Sequence, residues 1–204
     1  TFSSGTINQS IPDPGNRANS IAVSGIPAGA VITGVSVNFN VTHTYDADLV
    51  LNLTAPNGNT LNLVNKRGSN NDNFTNTTIS SASVNPINAG VAPFTNTYAA
   101  DAVNNTGTPN SNVNSFASLY STPNGNWTIN AADVVGCHGT LFLGICFGNY
   151  ESGTLNSWSI TVNYTLPVSP INVVWSPLTG LYTDAGATTA YAGQNVSTVY
   201  ATPN

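Results

Sequence analysis

Charged side chains are scarce in this 204-residue sequence. Asp, Glu, Lys and Arg make up 5% of it, whereas an average soluble protein has about 25%. The Glu, Lys and Arg pairs that decorate helix surfaces are therefore nearly absent. Asn, Thr, Ser and Gly, which are weak helix formers, take their place. This composition argues against long helices and predicts an all-β protein.

The shortage of basic residues excludes one class of partner. Arg17, Lys66 and Arg67 are the only three, too few to neutralise a phosphate backbone, so we expect no nucleic-acid binding. No apolar run approaches the roughly 18 residues of a membrane-spanning helix, so we expect no membrane insertion. The sequence has no methionine and no signal-peptide pattern, which predicts a processed chain or a piece of a longer exported protein.

Cysteine is limited to Cys137 and Cys146. They are nine positions apart with two glycines between them, and we predict that they form a disulfide that closes a hairpin, as an oxidising compartment would allow. Two buried free thiols are the alternative. A zinc site is disfavoured, because His138 is adjacent to Cys137 and His43 is distant in the sequence.

Alternating apolar residues are the main structural signal. Between residues 31 and 41 they predict a half-buried strand, and residues 49–53 and 61–63 on either side of Pro56-Asn57-Gly58 predict a hairpin. The residues expected on the buried face of the first strand are Val31, Val35, Val37, Phe39 and Val41. Short strands separated by Asn, Gly, Pro and Ser turns favour a jelly-roll-like antiparallel β-sandwich.

The composition of the sequence changes after residue 166, where prolines become frequent. Residues 167–170 form a proline-rich linker between a predicted β-sandwich at residues 1–166 and residues 171–204. The last segment contains about half the strands of an immunoglobulin-like domain. We therefore predict a partial Ig-like module there.

An ordered series of motifs resembles the P domain (P/Homo B domain) of kexin- and furin-like proprotein convertases. The resemblance spans about residues 5–165. The motifs are Thr42-His43-Thr44-Tyr45 running into Asp46-Ala47-Asp48-Leu49, Ala55-Pro56-Asn57-Gly58, Asn73-Phe74, Pro93-Phe94-Thr95-Asn96-Thr97-Tyr98, Asn124-Gly125-Asn126-Trp127-Thr128-Ile129 and Gly153-Thr154-Leu155-Asn156-Ser157-Trp158.

This resemblance implies a β-sandwich that flanks a serine protease domain and performs no hydrolysis itself. Residues 173–181 resemble the opening of an Ig-like or PKD-like repeat of bacterial surface adhesins, especially those of Bacteroidota. We therefore predict a non-catalytic structural or adhesive module of a secreted or cell-surface protein. Its expected partners are other domains of the same polypeptide, a surface protein or glycan, or another copy. The alternatives are an accessory domain of a secreted subtilisin-like protease and a carbohydrate-binding module.

One segment departs from the family pattern. Residues 134–151 form an insertion with an apolar centre, which would be an exposed contact surface if it lies outside the sandwich. The alternative is one more core strand stapled by the disulfide. The candidate interaction patch consists of Leu141, Phe142, Leu143, Ile145 and Phe147.

Catalysis has little support in the sequence. His43 and His138 are the only imidazoles, and neither accompanies a recognisable nucleophile motif. Asp46 and Asp48 could pair as glycosidase acids, but bracing of a turn is the favoured interpretation. Calcium suits the oxygen-rich loops, and the resemblance implies it too, because several bacterial members bind it. Its candidate ligands are Asp46, Asp48, Asp72, Asp101 and Asp133, with solvated loop aspartates as the alternative.

Overall fold

The computed structural model describes residues 1–143, 145–167 and 172–202, apart from the side chains of Leu141, Cys146, Asn149 and Tyr150. These residues form two compact units, Thr1–Leu166 and Pro167–Asn204. Residues 168–170 of the predicted linker lie outside the described part, as do residue 171 and the last two residues of the chain.

Strands dominate both units. The helical elements in the described ranges are three 3-10 turns, Asp46–Asp48, Ile87–Ala89 and Phe116–Leu119. The strands are β1 (Phe2–Ile11), β2 (Gly15–Val23), β3 (Val31–His43), β4 (Leu49–Thr54), β5 (Thr60–Asn65), β6 (Phe74–Ser80), β7 (Thr97–Tyr98), β8 (Gly125–Asp133), β9 (Cys137–Phe142), β10 (Ile145–Tyr150), β11 (Gly153–Thr165), β12 (Leu181–Tyr182) and β13 (Tyr200–Ala201).

Two sheets build the first unit. Sheet 1 has the order β1-β11-β3-β6-β7, and sheet 2 has the order β2-β8-β4-β5. All pairs are antiparallel except β6 with β7. The inward faces of both sheets contribute to one apolar cluster, in which Trp127 and Trp158 are both buried. The prediction of an all-β sandwich is therefore confirmed.

The start of β3 departs from the predicted alternation. Val31 is 60% exposed, whereas its neighbour Ile32 is buried. The pairing of β11 with β3 shifts between Asn163 and Tyr164, so that Ile32 is opposite Tyr164 and Gly34 is opposite Asn163. One extra residue in a strand moves its side chains to the other face. The assignment of Val31 to the core was therefore wrong, because the sequence does not reveal this bulge.

In sheet 2, β4 and β5 are buried on the outer face too. Residues 102–113 cover β4 and β5, and the Asn52 amide donates hydrogen bonds to the carbonyl oxygens of Thr106 and Pro109 at 2.7 and 2.9 Å. Asn62 donates to Asn52 Oδ1 at 2.9 Å. A Cβ atom at Gly107 would lie 2.4 Å from Nδ2 of Asn52, so only glycine allows this loop to approach so closely.

The first and last strands of the sandwich are neighbours. Phe2 of β1 is opposite Ile160 of β11, and Ile11 is opposite Gly153. The chain therefore enters and leaves the sandwich at the same end. The other end holds the C-termini of β1 and β3, the end of β8 and the start of β11.

The second unit is small. β12 pairs with β13, and the Trp175 indole donates to the carbonyl oxygen of Val196 at 3.0 Å. Tyr191 is buried, and its hydroxyl oxygen accepts a hydrogen bond from the backbone N–H of Trp175 at 3.0 Å. Its Ig-like identity stays a prediction. In the described parts of the chain, no helix has the length and apolar character needed to cross a membrane.

Candidate functional site

His43 links the two sheets at the end of the sandwich away from the chain entry. It ends β3 in sheet 1, and Asp133 ends β8 in sheet 2. His43 Nε2 lies 3.0 Å from Asp133 Oδ2, and both side chains are fully buried. Burial opposes a charged ring, but the hydrogen bond and the charge of Asp133 outweigh it and raise the pKa of His43.

The second ring nitrogen of His43 is also occupied. Nδ1 lies 2.9 Å from the Tyr45 carbonyl oxygen and 3.1 Å from the Tyr45 N–H. An imidazole held at both nitrogens by a carboxylate and the backbone has no lone pair aimed at a substrate. These contacts hold the end of β3 to the end of β8.

His138 attaches β9 to the same end of the sandwich. Its Nε2 lies 2.5 Å from Oδ2 of the buried Asp48, and its ring stacks on Tyr45 with centroids 4.3 Å apart. The hydrogen bond to Asp48 raises the pKa of His138. Neither histidine bonds to a hydroxyl in the described part of the chain, so the structure forms no nucleophile and base pair around them.

Asp46 is the unusual carboxylate at this end. It is completely buried, and within the described residues neither oxygen has a hydrogen bond of good geometry, although the Asn73 N–H is close enough to lower its pKa slightly. A Cβ atom at Gly68 would lie 3.0 Å from Asp46 Oδ2 and 3.1 Å from the Phe94 ring, so the carboxyl group sits beside an apolar wall. Burial raises the pKa of Asp46 to about 7.

The five predicted calcium ligands occupy different surroundings. Asp48 and Asp133 each bind a histidine, and Asp72 is exposed near Asp46. Asp101 lies elsewhere in an ion pair with Arg67, whose Nη2 is 2.6 Å from Asp101 Oδ1. In the described residues, no three His, Cys, Asp or Glu side chains are close enough together to hold a metal ion. Among the carboxylates in the described ranges, both oxygens of Asp46 and Oδ1 of Asp13 are buried without a hydrogen-bond partner, which is the observation that fits a cation.

Two acids that the sequence did not single out complete this end. Thr44 Oγ1 donates a hydrogen bond to Glu151, and the Glu151 N–H donates to Asp13 Oδ2 at 2.5 Å. Glu151 is the one acid of the inserted segment, which is the signal that could have identified it. Six of the eight acids in the chain therefore lie at or next to this end: Asp13, Asp46, Asp48, Asp72, Asp133 and Glu151.

The inserted segment folds as a separate hairpin. β9 and β10 pair only with each other in the described part of the chain. Four of the five predicted patch residues are well exposed, and the side chain of the fifth, Leu141, lies outside the described part. The exposed fractions are 61% for Phe142, 87% for Leu143, 60% for Ile145 and 62% for Phe147.

Cys137 is disulfide-bonded, but the side chain of Cys146 lies outside the described part, so their pairing stays a prediction. Cys137 is opposite Tyr150 and Cys146 is opposite Leu141. Peptide mapping without reduction would test the predicted bond.

Similarity to known proteins agrees with this architecture. Residues 32–91 match the family model of the proprotein convertase P-domain. Leupeptin-inactivating enzyme 1 of Streptomyces exfoliatus is 40% identical over 74 residues, which are 35% of this chain and 17% of that protein. This chain therefore spans about a sixth of that relative.

Two solved structures resemble this chain more distantly. The Aeromonas sobria serine protease, in complex with the chaperone ORF2, gives a TM-score of 0.41 at 16% identity, over 77% of this chain and 25% of that one. The same protease without the chaperone gives the same score, with 26% of its chain covered. The match to residues 32–91 agrees with the ordered motifs: this part of the β-sandwich is similar to the proprotein convertase P-domain, a non-catalytic domain.

Proposed function

We propose that this chain is the accessory module of a secreted serine protease, and that it stabilises or positions a catalytic domain in the same polypeptide. The observation that carries the proposal is the match of residues 32–91 to the proprotein convertase P-domain. The His43–Asp133 pair supports it, because His43 of the Thr-His-Thr-Tyr motif joins the two sheets through this buried contact. An accessory role fits a module whose ionisable groups are used for bracing.

The test is the full-length polypeptide with and without residues 1–166. We expect a Ser-His-Asp protease domain in the same reading frame, activity on a protein substrate, and a lower melting temperature and folding yield when the module is deleted. The isolated module should hydrolyse nothing. A reading frame without a protease domain would refute the proposal, and so would a deletion that changes neither stability nor yield.

The exposed hairpin supports an adhesive module as a second candidate. Its apolar side chains suit contact with another protein, and an adhesin would retain this contact without any neighbouring protease. Repeated adhesive modules in the full reading frame, with no catalytic domain, would favour this second function.

We also propose calcium as a stabilising ligand, and limit the site to Asp46 with oxygens of the facing turn. That turn is close, because the Asp46 N–H donates to the carbonyl oxygen of Asn71 at 2.9 Å. A cation would satisfy the buried carboxylate without a proton. Calcium should raise the melting temperature of the wild type but not of Asp46→Asn. A wild type that melts at the same temperature with calcium and with chelator would eliminate the site.

A further inference from the structure

The β9–β10 hairpin carries an apolar surface for which the sandwich provides no cover. We propose that it docks onto the same hairpin of a second copy of this chain and forms a weak, reversible dimer. This interaction goes beyond the accessory role and does not depend on a protease domain.

Register places the apolar side chains on one face. Phe142 is directly opposite Ile145, and Phe147 is opposite Thr140. Directly opposite residues, and residues two apart on one strand, share a face of the ladder. Phe142, Ile145 and Phe147 therefore form a continuous apolar face, and Leu143 extends it into the turn. Such a face is self-complementary when two hairpins meet about a twofold axis.

The chemistry of the hairpin also suits a copy of itself. Residues 139–150 contain no Asp, Glu, Lys or Arg, so two identical faces can meet without burying a charge. The hairpin has two strands in the described chain, and each therefore has one edge free to pair with another strand. Free strand edges without Lys or Pro are templates for edge-to-edge pairing.

The accessible area sets the expected strength. Four large side chains that are 60–87% exposed offer about 450 Å² per copy, or about 900 Å² in a dimer. This is below the roughly 1,200 Å² of a stable specific interface and in the range of transient ones. The dimer should therefore dissociate on dilution.

The hairpin is well placed for this contact. It leaves the sandwich between Asp133 and Gly153, at the end opposite the entry and exit of the chain. Its base is fixed by the contact of His138 with Asp48. Within the first unit, the hairpin and the two chain ends therefore lie at opposite ends of the sandwich.

The charges at the base predict how salt acts. Glu151 and Asp13 lie near His138, about 13 Å along the strand from the apolar tip. At about 0.15 M salt the Debye length is about 8 Å, so repulsion between the two bases is screened, whereas at about 0.01 M it is not. Salt should therefore strengthen the dimer, while it would weaken docking to a cationic partner.

Sedimentation velocity of the 204-residue chain over a wide concentration range tests the proposal. We expect a monomer–dimer equilibrium whose association constant falls at least about tenfold in Phe142→Ser/Phe147→Ser. The matched control is Val84→Ser, because Val84 is 95% exposed on the sandwich. The association constant should rise severalfold from low to physiological salt.

Several results would overturn the proposal. A chain that stays monomeric at millimolar concentration has no such dimer, and a dimer that the hairpin variant leaves intact uses another surface. Association that weakens with salt indicates a charge-driven contact. Binding to phosphatidylcholine vesicles that requires Phe142 and Phe147, without dimerisation, identifies a lipid surface as the partner.

Discussion

At the scale of single residues, the end of the sandwich with the two histidines buries carboxyl groups in two ways, one paired with a histidine and one unpaired. His43 and Asp133 are buried together, and each is the hydrogen-bond partner of the other. Asp46 is buried alone. An unpaired buried carboxylate favours its protonated form, because desolvation penalises the charge.

Asp46 should make the stability of the chelated protein depend on pH. Its folded-state pKa of about 7 is above the ordinary 3.8, so the native state holds the proton more tightly than the unfolded state. This proton contributes roughly 2–4 kcal/mol to the free energy of unfolding. The contribution is complete below about pH 4 and is lost as pH rises through about 7. Asp46→Asn should remove this loss, which urea unfolding in EDTA at pH 5 and pH 8 would measure.

The exposed Asp72 supplies the control for that experiment. Asp72→Asn should leave the difference between the two pH values nearly unchanged. The raised pKa of His43 also costs stability as pH rises, but it does so in the wild type and in both variants. If the wild type loses no more stability between pH 5 and pH 8 than Asp46→Asn does, the Asp46 carboxyl group is not protonated in the folded protein.

Asn52 should be the most sensitive asparagine in the described chain. It holds the loop at residues 102–113 through Thr106 and Pro109 and also accepts from Asn62. Asn52→Ala leaves these groups buried without partners, at about 1–3 kcal/mol each. Denaturant unfolding should show at least this loss, whereas Asn70→Ala at an exposed position should change stability by about 0.5 kcal/mol or less. Equal effects would contradict the assigned network.

The sequence alone was enough to identify the motifs, but not the hydrogen-bond partners of their polar side chains. The alternation around Phe39 identified a buried face, and the scarcity of charge identified the class of fold. The pairs His43–Asp133 and Asp48–His138 each join residues 90 positions apart, and no local pattern encodes such a contact. The isolation of Asp46 depends on a fold that brings Gly68 and Phe94 against it.

At the scale of elements, the register between β3 and β11 decides which side chains enter the core. The shift at Asn163 turns Ile32 inward and Val31 outward. A simple period of two cannot reproduce this change, since it depends on an extra residue in one strand. The inserted segment was equally ambiguous from sequence, because an apolar run is compatible with a core strand or with an exposed hairpin.

Substitutions at these two adjacent residues test the bulge. Ile32→Ala removes a buried side chain and should destabilise the first unit by about 2–4 kcal/mol. Val31→Ala should cost about 0.5 kcal/mol or less, because Val31 already faces solvent. Urea denaturation of both variants measures the difference. A larger loss of stability for Val31→Ala than for Ile32→Ala would show that Val31 is the buried residue and that β3 has no bulge there.

At the scale of the whole molecule, the scarcity of basic residues limits attack by trypsin. Lys66 is exposed next to Arg67, whereas Arg17 is within β2 and paired with Ala131 of β8. Trypsin should therefore cut the native chain only around residues 66–67, and mass spectrometry of a time course would identify the fragments. Chymotrypsin should cut first at the exposed Phe142 or Phe147. Early tryptic cleavage at Arg17 would mean that β2 is not held in the sheet.

The adjacency of β1 and β11 has a mechanical consequence. A pull on the two ends of the sandwich reaches Phe2 and Thr165, which are at the same end of neighbouring antiparallel strands. The load then falls on one hydrogen-bonded pair at a time, as in unzipping, and not on all of them together in shear. Under tension β1 would therefore detach from β11 at low force. The chain would lengthen by this step before the remaining strands of the sandwich unfold.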